Sequence, residues 1–313
     1  MNHRSAILVT GGAGYIGRHV CRALGRDEVV ALDDLRNSSR AALGTIPLIR
    51  AELATADVDW DRFEAVVHCA AFIDVAQSMR EPAMYWRNNL AAPAAFFEKA
   101  RGKDVVFSST AAVYGEPESI PISEDNAKNP TNPYGRSKLA AEQMLRDYGV
   151  RLTVLRYFNA AGDDEDHRVE THLIPNVVRA AILGEPLRVF GDGSAVRDFV
   201  HVDDLARAHV LALGKPGTYN LGSGRGWTVL EVIERARRVT GKKIDVVFAP
   251  PRPGDPRVLV ADNTNARREL GWEPTRSLDE MIDSTYRWRL AHPNGYGEAE
   301  PVEETVSGFM SGC

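Results

Sequence analysis

A phenol and an ammonium stand four residues apart in Tyr134-Gly135-Arg136-Ser137-Lys138. At helical pitch that spacing puts both on one face, pointing into the same space. Such a pair in isolation usually decorates a solvated helix. Here it follows the apolar run Val105-Val106-Phe107-Ser108-Ser109-Thr110, which as a strand would deliver the Thr110 hydroxyl to the same place. The three groups suit proton transfer: Lys138 lowers the phenol's pKa by charge, Thr110 holds a reacting hydroxyl, and Tyr134 takes its proton as general base. A second constellation is Thr10-Gly11-Gly12-Ala13-Gly14-Tyr15-Ile16-Gly17, with glycines at 11, 14 and 17 after an apolar run. Glycine lets a backbone turn sharply and approach a pyrophosphate, whose charge is met by amides at a helix N-terminus. About twenty residues on, Leu32-Asp33-Asp34-Leu35 offers a carboxylate where a dinucleotide's adenosine ribose would sit. Asp33 accepts hydrogen bonds from ribose hydroxyls and repels a 2′-phosphate, so NAD is favoured over NADP.

These groups need strands that end beside one another and helices that start there. Ala6–Thr10, Glu28–Leu32, Ala65–Ala70, Val105–Ser109 and Leu152–Arg156 read as buried strands. Gly14–Leu24, Pro82–Ala100 and Tyr134–Tyr148 carry apolar residues at helical spacing. The alternation predicts an α/β fold, a doubly wound parallel (Rossmann) sheet with a smaller C-terminal α/β substrate lobe. The division expected is residues 1–161 for the dinucleotide domain, 162–292 for the second lobe and 293–313 for a frayed tail. Within the second lobe, helices are expected at Leu173–Leu183, Val229–Thr240 and Leu278–Leu290, with Gly162–Glu170 as an acid-rich loop and Pro250–Pro256 as a rigid one.

The 313 residues are 44% apolar and 26% charged, without a run of eighteen apolar residues such as a membrane span requires. A net charge of −5 argues against non-specific nucleic-acid binding. The first residues lack a secretory cleavage pattern, so a cytoplasmic protein is expected. Cys21, Cys69 and Cys313 are odd in number and imply no disulfide framework. His68, Cys69, His172 and His201 fit no ligand spacing, so packing roles and no metal are expected. Trp227, Trp272 and Trp288 are assigned to the second lobe's core, and Asp163–Asp166 to a solvated loop.

Taken together, the turn Gly11–Gly17, Leu32-Asp33-Asp34-Leu35, Ser108-Ser109-Thr110-Ala111-Ala112-Val113-Tyr114-Gly115, the Tyr134/Lys138 pair and Arg156-Tyr157-Phe158-Asn159 resemble the extended short-chain dehydrogenases. Within them the chain is most similar to the UDP-glucose (UDP-galactose) 4-epimerase family. That likeness continues through Glu170-Thr171-His172-Leu173-Ile174-Pro175, Val196-Arg197-Asp198-Phe199-Val200-His201-Val202 and Arg252-Pro253-Gly254-Asp255 to His292-Pro293-Asn294-Gly295-Tyr296. It implies NAD-dependent inversion at C4 of a UDP-sugar through a 4-keto form, in a homodimer built on the helices near Pro82–Ala100 and Tyr134–Tyr148.

By the same resemblance Thr110, Tyr134 and Lys138 are the catalytic set. Gly11, Gly14, Tyr15, Ile16 and Gly17 line the pyrophosphate, Asp33 the ribose, Glu52 and Leu53 the adenine edge, and Asn88 and Tyr157 the nicotinamide side. Arg197, Arg252, Asn159 and Leu173 contact the substrate diphosphate, and guanidinium forks suit phosphate oxygens. Val189 and Phe190 flank uracil, and Asp255 binds the nucleotide ribose. Leu259 replaces a bulkier aromatic at the hexose pocket, which implies room for an N-acetyl group. Glu52 stands where the family usually has Asp. Ile73 stands where well-known members have a lysine near the cofactor phosphates, so tight retention of NAD does not carry over. Three alternatives remain at this point. A 4,6-dehydratase needs an acid and a base where Ala111 and Ala112 stand; a reductase would consume cofactor; a non-catalytic NAD sensor would not need the Thr/Tyr/Lys set.

Overall fold

Apolar runs bounded by glycine or charge fold as buried parallel strands, and the amphipathic stretches between them return as helices. The computed structural model describes residues 6–166, 172–251 and 256–297. It opens with β1 (Ala6–Thr10), α1 (Tyr15–Leu24), β2 (Val29–Asp33), β3 (Leu48–Arg50) and β4 (Phe63–His68). There follow α2 (Val75–Arg80), α3 (Pro82–Trp86), α4 (Ala92–Phe97), β5 (Asp104–Thr110), α5 (Pro133–Asp147) and β6 (Arg151–Tyr157). Next are β7 (Asn159–Ala161), α6 (Leu173–Leu183), β8 (Leu187–Phe190), β9 (Val196–His201), α7 (Val202–Leu211) and β10 (Gly217–Leu221). Last come β11 (Gly226–Thr228), α8 (Val229–Thr240), β12 (Val246–Ala249), β13 (Val258–Leu259) and α9 (Leu278–Ala291).

Seven parallel strands form the large sheet in the order β10-β6-β5-β4-β1-β2-β3. Side chains alternate across it, as a pleated strand requires. Ile7, Val9, Ala31, Val67 and Leu155 pack on one face, and Leu8, Leu32, Val66, Val105, Phe107 and Val154 on the other. The strand order reverses between β1 and β4, and ligands of doubly wound sheets bind in the crevice beyond the carboxyl ends there. Thr10, Asp33, His68, Thr110 and Tyr157 are the last residues of their strands, so they share that end.

The smaller lobe centres on β9, paired with β7, β11 and β13, beside the two-stranded β8–β12 sheet. Its core is filled from α6, α8 and α9. The boundary expected at 161–162 does not coincide with the exit from the large sheet: the chain leaves it after Tyr157, β7 already pairing with β9, and later comes back. β10 pairs with β6, and Leu205, Ala208, Ala266, Leu270 and Trp272 share a core with Ile7 and Val9. Trp272 therefore fills the large lobe's core and not the second lobe's, its indole donating to the Asp204 carbonyl at 2.7 Å. Trp227 does pack against the second core.

Three further expectations change. Pro82–Ala100 is not one helix: a wide π turn at Arg87–Ala91 separates α3 from α4. Pro93 has no N–H to give the carbonyl four residues back, so the ladder widens there. The acid run Asp163–Asp166 is not a solvated loop, since Asp164 and Glu165 are buried. The first tail residues are anchored, the Tyr296 amide donating to Asp166 at 2.9 Å and its hydroxyl to Asp164.

Candidate active site

At the β1–α1 turn the glycines are needed for close approach. Gly11 has φ +69°, and a Cβ there would lie 2.5 Å from the Ala70 amide nitrogen. A Cβ on Gly17 would lie 2.1 Å from the Gly11 carbonyl oxygen. α1 starts at Gly14 without a side-chain cap, which leaves its first amides for an anion. Tyr15 contributes backbone to that end, because its ring is buried edge-on against His19, 5.7 Å between centroids. Asp33 already accepts from the Ala13 and Leu35 amides, at 3.0 and 2.9 Å, and from the Ser38 hydroxyl at 2.8 Å. Burial raises its pKa above the ordinary carboxylate value against those bonds. Two carboxylate oxygens offer about four acceptor positions, so one remains for a ribose hydroxyl. Beyond it Arg36 pairs with Asp34 and Glu52, placing Glu52 at the rim with Leu53 behind it, packed on the core. The cradle, the open helix end and the carboxylate fit a dinucleotide.

Across the crevice, α5 begins with Asn132 capping the Gly135 amide at 2.8 Å and Pro133 in the first turn. Gly135 has no room for a side chain, a Cβ falling 2.6 Å from the Ala112 carbonyl oxygen. That close approach brings Tyr134 to Thr110. The Thr110 oxygen accepts from the Ala112 amide at 3.1 Å and hydrogen-bonds the Tyr134 phenol. Desolvation pushes the phenol up to about 12, with the Thr110 bond acting the other way. One turn on, Lys138 is buried with Nζ 4.3 Å from the centre of the Phe107 ring. Burial pushes it down to about 8, opposed by charge interactions with Cys69 and Glu142. A second phenol, Tyr157, lies within electrostatic reach of Tyr134.

Residues not singled out from the sequence hold this set in place. Tyr85 packs its ring edge-on to Tyr134, 6.4 Å between centroids. Asn89, in the π turn, exchanges two hydrogen bonds of 2.9 Å with the Phe72 backbone, accepts one from Asn88 and donates to Ser137 at 3.2 Å. π turns recur at functional sites. Glu142, four residues beyond Lys138, is fully buried and takes Arg156 in two bonds of 3.0 and 2.6 Å. The continuing spacing 134, 138, 142 was the available signal for Glu142. Gly135, between the two catalytic candidates, was another.

The second lobe brings some expected substrate contacts together. Arg197 of β9 is in register with Leu259 of β13, and the Asn159 amide donates to the Asp198 carbonyl at 2.9 Å. Leu259 packs against Ala111, Val113 and Phe158, just past Thr110. α6 starts at Leu173 without a side-chain cap. Phe190 is half-buried, but the Val189 side chain lies in the lobe's core, so only its backbone is available to flank a base. Arg252 and Asp255 lie outside the described residues. Ile73 is exposed. His68, Cys69, His172 and His201 do not converge: their partners are Thr10, Ser108, Glu165 and Asp203. Among the described residues, metal-ligand spacing occurs at His19, Asp163 and Asp203.

The model of the NAD dependent epimerase/dehydratase family matches residues 7–222, which include both the cradle and the Thr/Tyr/Lys set. This chain belongs to that family. A UDP-glucose 4-epimerase of Halalkalibacterium halodurans is 42% identical, covering 93% of this chain and 97% of its own. The UDP-glucose 4-epimerase of Bifidobacterium longum, solved with NAD+ and UDP, superposes with a TM-score of 0.85 at 34% identity, covering 93% of this chain and 99% of its own. A UDP-N-acetylglucosamine 4-epimerase of Methanobrevibacter ruminantium, in complex with UDP-N-acetylmuramic acid, gives 0.86 at 30% identity, with 92% and 99% covered. Membership fits the arrangement, in which a phenol, an ammonium and a hydroxyl stand at the same sheet end as a glycine cradle. No described helix is long and apolar enough to cross a membrane.

Proposed function

We propose that the chain is an NAD-dependent epimerase that inverts C4 of a UDP-sugar. The observation that carries this reading is the hydrogen bond between the Tyr134 phenol and Thr110 at the end of β5, with Lys138 buried one helical turn on, beside a glycine cradle. When bound, NAD supplies a hydride acceptor and donor at C4 and a positive ring charge beside the base.

Gly11, Gly14, Ile16 and Gly17 hold the pyrophosphate, with the Tyr15 amide, and Asp33 holds the ribose. Glu52 and Leu53 border the adenine. Asn88 and Tyr157 border the nicotinamide. Tyr134 accepts the proton of the C4 hydroxyl, and Thr110 orients that hydroxyl. With Lys138 already in place on the same helix, burial leaves the phenol near 12, a poor base at neutral pH, so the positive charge of the bound ring has to bring it down. Inversion also requires a hexose free to turn while its nucleotide is gripped. Arg197, Arg252, Asn159 and the open start of α6 at Leu173 grip the diphosphate, Phe190 and the Val189 backbone the base, and Asp255 its ribose. Ala111 and Ala112 supply neither acid nor base, which disfavours 4,6-dehydration.

Purified protein given UDP-galactose and a catalytic amount of NAD should form UDP-glucose without consuming the cofactor. Stoichiometric accumulation of NADH with added NAD would instead identify a dehydrogenase. Leu259 is smaller than the aromatic it replaces by the resemblance above, so UDP-N-acetylglucosamine should also turn over; no product from it rejects that extension. The protein is a cytoplasmic homodimer in this reading, joined through α3, α4 and α5. Trp86 of α3 and Met79 of the neighbouring α2 are exposed in the single chain. Light scattering giving a monomer mass would reject the dimer.

A further inference from the structure

Behind Tyr157 a line of buried polar groups crosses three elements. His209 of α7 has Nδ1 2.8 Å from the Leu205 carbonyl oxygen and Nε2 2.9 Å from Ser108 Oγ on β5. Ser108 lies 3.2 Å from Cys69 Sγ and hydrogen-bonds the Tyr157 phenol at the end of β6. The Tyr157 and His209 rings meet edge-on, 6.0 Å between centroids.

Donor and acceptor rules give the line one direction. A carbonyl only accepts, so His209 Nδ1 carries the hydrogen. Full burial keeps the imidazole neutral, its pKa pushed down to about 4, so Nε2 is bare and takes the single hydrogen of Ser108. The Ser108 oxygen then offers only lone pairs to Cys69 and Tyr157. Tyr157 spends its hydrogen on Ser108, and its oxygen can only accept from whatever enters the crevice. The direction matters because Tyr134 is near enough for its charge to act on Tyr157. A Tyr157 hydrogen left free would compete for the oxygen of the base.

We propose that His209 is a positioning residue: acting through Ser108, it commits the Tyr157 proton away from the crevice, so that Tyr157 accepts from the amide of a bound nicotinamide and does not donate to Tyr134. The inference rests on the epimerase reading above. Nothing is transferred along the line; it only fixes which atom holds each hydrogen. The arrangement needs a hydroxyl at position 108, because an alanine returns the Tyr157 hydrogen to the crevice.

The test uses Ser108→Ala, Ser108→Thr, His209→Phe and the double variant Ser108→Ala/His209→Phe. Ser108→Ala and His209→Phe should each lower kcat for UDP-galactose about ten- to a hundred-fold, the scale of a misoriented reacting group. KM should stay within about twofold, since the sugar nucleotide's own contacts are intact. The double variant should lose no more than the worse single one, because both cut the same line, and Ser108→Thr should restore the rate. Independently of turnover, 15N NMR of the protein without added nucleotide should show His209 as a neutral, Nδ1-protonated imidazole. A wild-type rate in folded Ser108→Ala, losses that multiply in the double variant, or an Nε2-protonated His209 would each overturn the proposal. If His209→Phe fails to fold, the Ser108 pair and the NMR tautomer decide. Absence of interconversion by the wild type would reject the epimerase reading instead, and the tautomer would still report on the line.

Discussion

At the scale of single residues, the site is two titrating groups pushed toward each other by burial. Tyr134 is driven up to about 12 and Lys138 down to about 8, in both cases because charge is costly away from water. Replacing Tyr134 by Phe removes the proton acceptor and leaves ring packing on Tyr85, so kcat should drop on the order of a hundred- to ten-thousand-fold. Nucleotide affinity should hardly change; a variant with wild-type turnover would exclude Tyr134 as the base. The sign of the pH dependence follows from Lys138. Its ammonium is present below about pH 8 and lost above it, and with it goes the charge that favours phenolate. In the free enzyme kcat/KM should therefore fall as pH rises through about 8, and Lys138→Met should abolish that limb along with most of the rate. An alkaline limb that survives the substitution unchanged would assign it to another group. Tyr134 and Lys138 could be read as a pair because their spacing is helical, and Thr110 as their neighbour only because it ends an apolar strand. His209 could not: its contact with Ser108 joins positions 101 residues apart, and one histidine in an amphipathic helix carries no pattern.

Elements position these residues through places where a side chain is missing. Gly11, Gly17 and Gly135 each let one backbone press on another, β1 on β4, α1 on its own entry turn, and α5 on the turn after β5. Gly17→Ala puts a methyl into the Gly11 carbonyl, so α1 must shift and its open amides leave the pyrophosphate position. Titration calorimetry should find NAD binding weakened at least about tenfold, the effect of losing one charge-assisted bond; unchanged affinity would place the pyrophosphate elsewhere. Of the five strands read from apolar runs, β1 has the bounds expected and the other four have shifted ends, because burial on both faces leaves a continuous hydrophobic signal. β10 was missed. Gly217-Thr218-Tyr219-Asn220-Leu221 is short and polar, and its place beside β6 depends on contacts such as Asn220 with Ile122 at 2.8 Å. The π turn escaped notice for the opposite reason, since helical spacing persists on both sides of it. Its Asn89 is what ties the loop after β4 to α5.

Across the whole molecule, the large lobe, the acidic loop and the last described residues meet at one carboxylate. Asp164 takes Arg18 at 3.0 Å, then Arg22 and the Tyr296 hydroxyl. Arg18 is as buried as its partner, so the pair closes α1 onto a loop 146 positions away. A cavity of about 170 Å³ lies alongside, lined by Ser38 of the ribose loop, Asp166 and Asn294, so the same contacts border the cofactor end. None of this is visible in composition, where four consecutive acids look like a solvated run. Cutting the carboxylate strands a buried guanidinium, and Asp164→Ala should cost about 3–5 kcal/mol, the range for breaking one side of a buried pair. The guanidinium charges hold the Asp164 carboxyl below its ordinary value, against the upward push of burial. Its contribution is therefore complete above the ordinary carboxylate range and lost as pH falls through the folded pKa. Urea unfolding should show a wide gap between wild type and Asp164→Ala at neutral pH that narrows in acid. Tyr296→Phe, which removes one hydroxyl and leaves the ion pairs, should cost only about 1 kcal/mol. Because Arg18 sits on the helix that receives the pyrophosphate, saturating NAD should raise the melting temperature of the wild type more than that of Asp164→Ala. Equal shifts in the two proteins would mean that the loop stabilises the fold without steadying the cofactor end.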